Sequence, residues 1–203
     1  MKIIAHRGLW DDKENQNTLT AFKRALDLGF GLEFDVRDSF GQLVISHDPT
    51  ANPGSLNFED VVELFSKYEA PMAINIKSDG LLPRLLSTLG SLEKKRYFVF
   101  DMSIPETIKY LKAGVPTFMR ISEFEQNSLL HEKSSGIWLD AFEGDWWTNE
   151  SQVFQDFKAL CVVSSELHGR DEEMGWSFLR ELETVTDLNL CTDYPVKASE
   201  YFK

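Results

Sequence analysis

Two stretches decide the fold: Lys2-Ile3-Ile4-Ala5-His6 and Gly31-Leu32-Glu33-Phe34-Asp35-Val36-Arg37. Both are apolar runs of strand length, and both carry charged or titratable residues toward their ends. Between them, residues 18–28 place Leu19, Phe22 and Leu26 near helical spacing, with Asn17 as the expected N-cap and Gly29 as the stop. The alternation continues down the chain. Further strands are expected at 72–77, 97–101, 116–122, 136–142, 159–164 and 188–194, all rich in Ile, Val, Leu or Phe, as strands covered on both faces are. Helices are expected at 57–67, with Val61, Val62, Leu64 and Phe65 inward, and at 80–89, 152–158 and 174–182. Another is expected at 103–113, with Pro105 in its first turn and Gly114 as its end. Phe40-Gly41 reads as a turn into a short extra strand at 42–47. Eight strands alternating with helices predict an α/β protein, a compact (β/α)8 TIM barrel with an extra hairpin after strand two; an open doubly wound sheet is the competing arrangement.

The 203 residues carry a net charge of −12, and 42% of them are apolar. That is globular composition, read as one domain over residues 1–203. The length falls below the ~250 residues common for such barrels, so a barrel with an open mouth and no lid is expected. The acidity disfavours nucleic acid and anionic lipid as partners. No apolar run approaches the ~18 residues of a membrane span. The chain opens directly on a strand, leaving no room for a signal peptide, so a soluble cytoplasmic protein is expected. Cys161 and Cys191 fall in strands and read as buried, reduced thiols.

In a barrel of this kind the active site sits at the C-terminal strand ends. Those ends bring together His6 and Arg7, Glu33 and Asp35, and Asn75 and Lys77, then Asp101, Arg120 and Ser122, Asp140, Ser164 to Glu166, and Thr192 with Asp193, with His47 closing the extra hairpin. The first three strands carry the most charge, so the site is expected over them. Charge inside apolar strands is costly unless paired or bound to an ion. Glu33 and Asp35 are two apart and share one face, the barrel interior. Either they bind a hard cation such as Mg²⁺ or Ca²⁺, or one of them pairs with Arg7 or Lys77. His6 and His47 together form a candidate acid/base pair, and Arg7 and Lys77 offer charge to a phosphate oxygen. The other two histidines, His131 and His168, lie in polar stretches and are expected to be solvated. Trp146-Trp147 either lines a cleft or packs a loop, and the acidic stretches at Glu172-Glu173 and near Asp156 read as solvated faces.

The segments IIAHRG (3–8), NTLTAF (17–22), LEFDV (32–36), GQLVISHD (41–48), INIK (74–77) and LCTDYP (190–195) resemble the glycerophosphodiester phosphodiesterase family. The resemblance implies a barrel that hydrolyses a small-molecule phosphodiester with a bound divalent cation. It makes His6 and His47 the acid/base pair, and Glu33 and Asp35 metal ligands. It also places Arg7 on a phosphate oxygen and Lys77 at the family's lysine position. Three departures stand out. The family's third carboxylate ligand is Asn75 here, and Gln16 replaces a second carboxylate. Only about nine residues separate Asp48 from the next expected helix, where a longer insertion is common. These departures keep two alternatives in view: a lyase that stops at a cyclic phosphate, and a non-catalytic barrel that binds a phosphate ligand.

Overall fold

In the computed structural model the described residues are 1–90, 92–126, 128–150, 157, 159–182 and 187–203. The run Lys2–His6 forms β1, and α1 (Leu19–Asp27) carries the chain back to β2 (Gly31–Ser39). Phe40 and Gly41, with φ of 48° and 78°, make a hairpin reversal into β3 (Gln42–Ile45). Then follow α2 (Phe58–Phe65), β4 (Met72–Ile76), α3 (Leu82–Leu89), β5 (Tyr97–Phe100) and α4 (Ile104–Lys112). The second half holds β6 (Phe118–Ile121), β7 (Gly136–Leu139), β8 (Ala159–Val163), α5 (Glu173–Glu181), β9 (Asp187–Thr192) and α6 (Pro195–Tyr201).

The strands run in the order β5-β4-β2-β1-β9-β8-β7-β6, with β3 attached to β2 outside this path. Every ladder along the path is parallel, and β2–β3 alone is antiparallel. The ring closes between β5 and β6 through one parallel bridge, Val99 to Thr117. This is the expected (β/α)8 barrel with its hairpin. The helical layer is thinner than the alternation implies: among the described residues a single 3-10 turn, His131–Lys133, stands between β6 and β7. The helix expected at 152–158 falls, but for Phe157, outside the described residues, as does the acidic stretch around Asp156.

Period-two alternation sorts the strand residues onto two faces. Outward-facing Leu32, Phe34, Met72 and Ile74 pack on Phe22 of α1 and on Phe58 and Phe65 of α2. Each such side chain stabilises the fold by about 1.5–3 kcal/mol through burial. Inward-facing Ile4, Ala73, Phe98, Phe100, Phe118, Trp138, Cys161, Val163 and Cys191 fill the barrel. Phe98 stacks on Phe118 and Phe100 on Trp138, each pair with ring centroids 3.8 Å apart. Gly136 is required at this level, since a Cβ there would lie 2.5 Å from the Phe118 ring. Cys161 and Cys191 are free and buried as expected, and burial pushes both thiols well above their ordinary range. The aromatic plug forms the floor, and the inward positions above it turn polar.

Several local expectations need correction, among them Glu172, which is buried and pairs with Lys197 instead of lying on a solvated face. Thr18, not Asn17, caps α1: its Oγ1 accepts the Ala21 N–H at 3.2 Å. Asn17 sits in the left-handed region at φ 56° and turns its amide toward the barrel mouth. Leu64 is only half-buried, and Asn57 makes no side-chain cap. His131 is not solvated but buried, its Nε2 2.9 Å from the Arg120 carbonyl oxygen. No helix among the described residues is long and apolar enough to cross a membrane.

Candidate active site

Parallel register stacks the mouth in layers. His6 is level with Glu33 across β1–β2, and Asp35 is level with Asn75 across β2–β4. Glu33, Asp35 and Asn75 are all buried. Directly after β1 the chain turns sharply, with Arg7 at φ 56° and Gly8 at φ 89°. The turn lets the Arg7 N–H donate to the Glu33 carbonyl at 2.9 Å, and it brings Arg7 Nε to 3.1 Å from Asp35 Oδ2. Gly8 also lies hard against α1, where a Cβ would be 2.8 Å from the Ala21 carbonyl carbon. Gly8→Ala is therefore expected to cost about 2 kcal/mol or more, because strain and overlap add. Urea unfolding checks this, and an unchanged midpoint would refute it.

Asn17 braces the same corner. Its backbone N–H donates to the Arg7 carbonyl at 3.0 Å and its Nδ2 to Asp35 Oδ2 at 3.0 Å. Gln16 accepts from Arg7 Nη1 at 3.2 Å, so the amide that replaces a family carboxylate still engages the arginine. Lys77 Nζ lies 3.5 Å from Asp35 Oδ1 and 3.5 Å from Asp101 Oδ2. Asp35 thus has two cationic neighbours, the pairing that the sequence left open beside cation binding. Asp101, in the left-handed region at φ 72°, also meets Arg120.

Glu33 lacks such a pair of close cations. Burial and the charge of Asp35 push its carboxyl up to about 7, against opposing pulls from His6, Arg7 and Lys77. Apart from the ion pair of Asp35 Oδ1 with Lys77, Asp35 Oδ1, Asn75 Oδ1 and Asn17 Oδ1 are buried without a hydrogen-bond partner among the described residues. Two buried carboxylates and unsatisfied amide oxygens make a donor set that suits a hard divalent cation. Among the described residues no three His, Cys, Asp or Glu side chains form a metal cluster.

His6 Nδ1 lies 2.6 Å from Asp193 Oδ1, and its Nε2 lies 3.8 Å from Glu33 Oε2. Burial works against the imidazolium, but the Asp193 hydrogen bond and the charges of Glu33 and Asp193 outweigh it, so the His6 pKa is raised. Asp193 received no role from the sequence; its signal was the LCTDYP segment, whose partner lies at the other end of the chain. His47 follows β3, where the Ser46 N–H donates to the Asp35 carbonyl at 3.0 Å. The His47 side chain is 48% exposed, with Nδ1 2.9 Å from Asp48 Oδ1. One histidine is thus built into the barrel wall, and the other is half-exposed just beyond the hairpin.

The far side of the mouth is a second polar cluster. His168, expected to be solvated, has Nε2 2.7 Å from Asp140 Oδ1. Arg120 lies near Asp101, Asp140 and Glu125 and covers the Phe142 ring at 5.3 Å. Of the tryptophan pair, Trp147 is buried against Phe178 of α5, and Trp146 donates from Nε1 to the Asp140 carbonyl at 2.9 Å. The pair packs its loop.

No protein-family model matches the chain. A glycerophosphodiester phosphodiesterase of Caldanaerobacter subterraneus subsp. tengcongensis is 44% identical over 71 residues, 33% of this chain and 28% of that relative's length. A phosphodiesterase of Oleispira antarctica, solved with its product sn-glycerol-3-phosphate, superposes with a TM-score of 0.76 at 15% identity, covering 99% of this chain and 96% of that one. A glycerophosphodiester phosphodiesterase of Parabacteroides distasonis gives a TM-score of 0.73 at 17% identity, with the same coverage of 99% and 96%. The chain has the barrel fold of the glycerophosphodiester phosphodiesterases and resembles that family in sequence.

Proposed function

We propose that residues 1–203 form one catalytic barrel that hydrolyses small-molecule phosphodiesters, with His6 and His47 as the acid/base pair. The observation that carries this reading is the His6–Asp193 pair standing beside the buried Glu33 and Asp35. With Nδ1 turned to Asp193, His6 keeps Nε2 for proton transfer. One histidine takes the proton of the attacking hydroxyl, from water or from a neighbouring hydroxyl of the substrate. The other gives its proton to the departing alkoxide. Arg7 and Lys77 offset charge on the phosphoryl oxygens as it builds. A divalent cation, Mg²⁺ or Ca²⁺, would be held by Glu33, Asp35 and Asn75 and would add charge stabilisation to the same oxygens. Asn75 brings an oxygen but no charge, so affinity for the ion is lower than with three carboxylates. The short stretch after His47 leaves the mouth open to bulky alcohols.

A non-catalytic reading draws on Asn75, Gln16 and the cationic neighbours of Asp35. Phosphorus NMR over a panel of glycerophosphodiesters and other diesters, with Mg²⁺ or Ca²⁺ and with EDTA, separates the readings. A phosphomonoester product that depends on added metal is expected. A cyclic phosphate that persists identifies a lyase, and no turnover of any diester in either condition overturns catalysis.

A further inference from the structure

We propose that Glu166 is a positioning residue for His6, acting through Asp193; the assignment rests on the acid/base role given to His6 above. Asp193 lies one residue beyond the end of β9, so the strand ladder no longer holds it. Glu166 takes over that task. It sits in the 3-10 turn Ser165–His168 after β8, and its Oε1 accepts the backbone N–H of Asp193 at 3.0 Å. The same oxygen accepts the Thr192 hydroxyl, and Oε2 accepts the Ser164 hydroxyl.

The direction of these bonds is set from outside. Ser164 Oγ already accepts from Trp176 Nε1 at 2.8 Å, and Thr192 Oγ1 already accepts from the Tyr194 N–H at 3.0 Å. With a donor on each oxygen, both hydroxyls are free to point their protons at Glu166. Ser164, Thr192 and Trp176 are all buried, so these bonds form away from water. The consequence falls on Asp193. The peptide before its Cα is tied to Glu166 and the peptide after it to Thr192, so only its side-chain torsions remain free. Its carboxylate is thereby held at 2.6 Å from His6 Nδ1. Removal of the Glu166 carboxylate leaves the Asp193 N–H and two hydroxyls without their acceptor, and the Asp193–His6 bond loses its support. Groups that hold the partner of a metal-ligating histidine are worth about 10–100-fold in activity, and an effect at the lower end of that range is expected for this acid/base histidine.

The test uses ¹⁵N-histidine-labelled full-length protein. The His6 Nδ1–H resonance, assigned by its loss in His6→Ala, should be protected from solvent exchange in the wild type and lost in Asp193→Asn. In Glu166→Ala its exchange should quicken about tenfold or more, and Glu166→Gln, which keeps an acceptor oxygen, should restore protection. Glu166→Leu fills the volume without accepting a bond and replaces the alanine variant if that one does not fold. In kinetics, Glu166→Ala should lower kcat about tenfold with KM within about twofold, and should add nothing on the Asp193→Asn background. A folded alanine or leucine variant with a lower melting temperature but a fully protected Nδ1–H would show a mere strand staple and overturn the proposal. If the wild type turns over no diester, the phosphodiesterase reading fails, and the exchange measurement still decides the coupling.

Discussion

His6→Ala is expected to lower kcat by about a thousandfold, within the range that loss of a positioned acid or base produces. The variant also deprives Asp193 of its partner at 2.6 Å and Glu33 of a neighbour at 3.8 Å. His47→Ala should cost a similar factor with less effect on stability, because its side chain is 48% exposed and its partner is the adjacent Asp48. Steady-state rates and melting curves on both variants measure the two effects separately. Wild-type kcat in either variant would remove that histidine from the mechanism.

Asp35→Asn is expected to strike stability and activity together. Arg7 at 3.1 Å and Lys77 at 3.5 Å both face the carboxylate, which is 1% exposed. Breaking a buried pair strands the remaining charge, at a cost of about 3–5 kcal/mol. Lys77 keeps Asp101 as a second partner, so the lower end of that range is expected. The urea midpoint should fall with little change in slope, and calorimetric titration with Mg²⁺ or Ca²⁺ should show no heat of binding. Phosphodiester turnover should vanish with it. A variant that unfolds at the wild-type midpoint would mean that Asp35 is not the anchor of the two cations. One that still binds the ion would exclude it as a ligand.

The strands were legible because burial on both faces leaves apolar runs that stand out, and all nine were found near their expected places. Their ends were less legible. Residues 140–142 and 193–194 continue the pattern of β7 and β9, yet the chain leaves the ladder at Leu139 and Thr192. Capping failed at Asn17 for a tertiary reason: Thr18 can serve α1, while Asn17 is needed on Asp35. The side chains of β1 and β2 could be read because strand parity puts Glu33 and Asp35 on one face. The pairings of His168 and Asp193 could not be read this way, although Asp193 stood at a strand end. Their partners, Asp140 and His6, lie 28 and 187 residues away, and no local pattern encodes such a pairing. Glu166 stood at a strand end in the sequence, but its pairing was hidden for the same reason, its bonds reaching 27 residues to Asp193.

The join between β5 and β6 rests on one bridge, Val99 to Thr117, stapled by the Phe98–Phe118 stack. Amide exchange is therefore expected to be faster at this seam than along the longer ladders of the ring. In the strand order the seam lies diametrically across from the β1–β9 ladder, beside which His6 meets Asp193. The arc that holds His6 and Asp193 is thus backed by continuous ladders on both sides, like the spine of a book. Loosening at the opposite edge would therefore leave the spacing of His6 and Asp193 untouched.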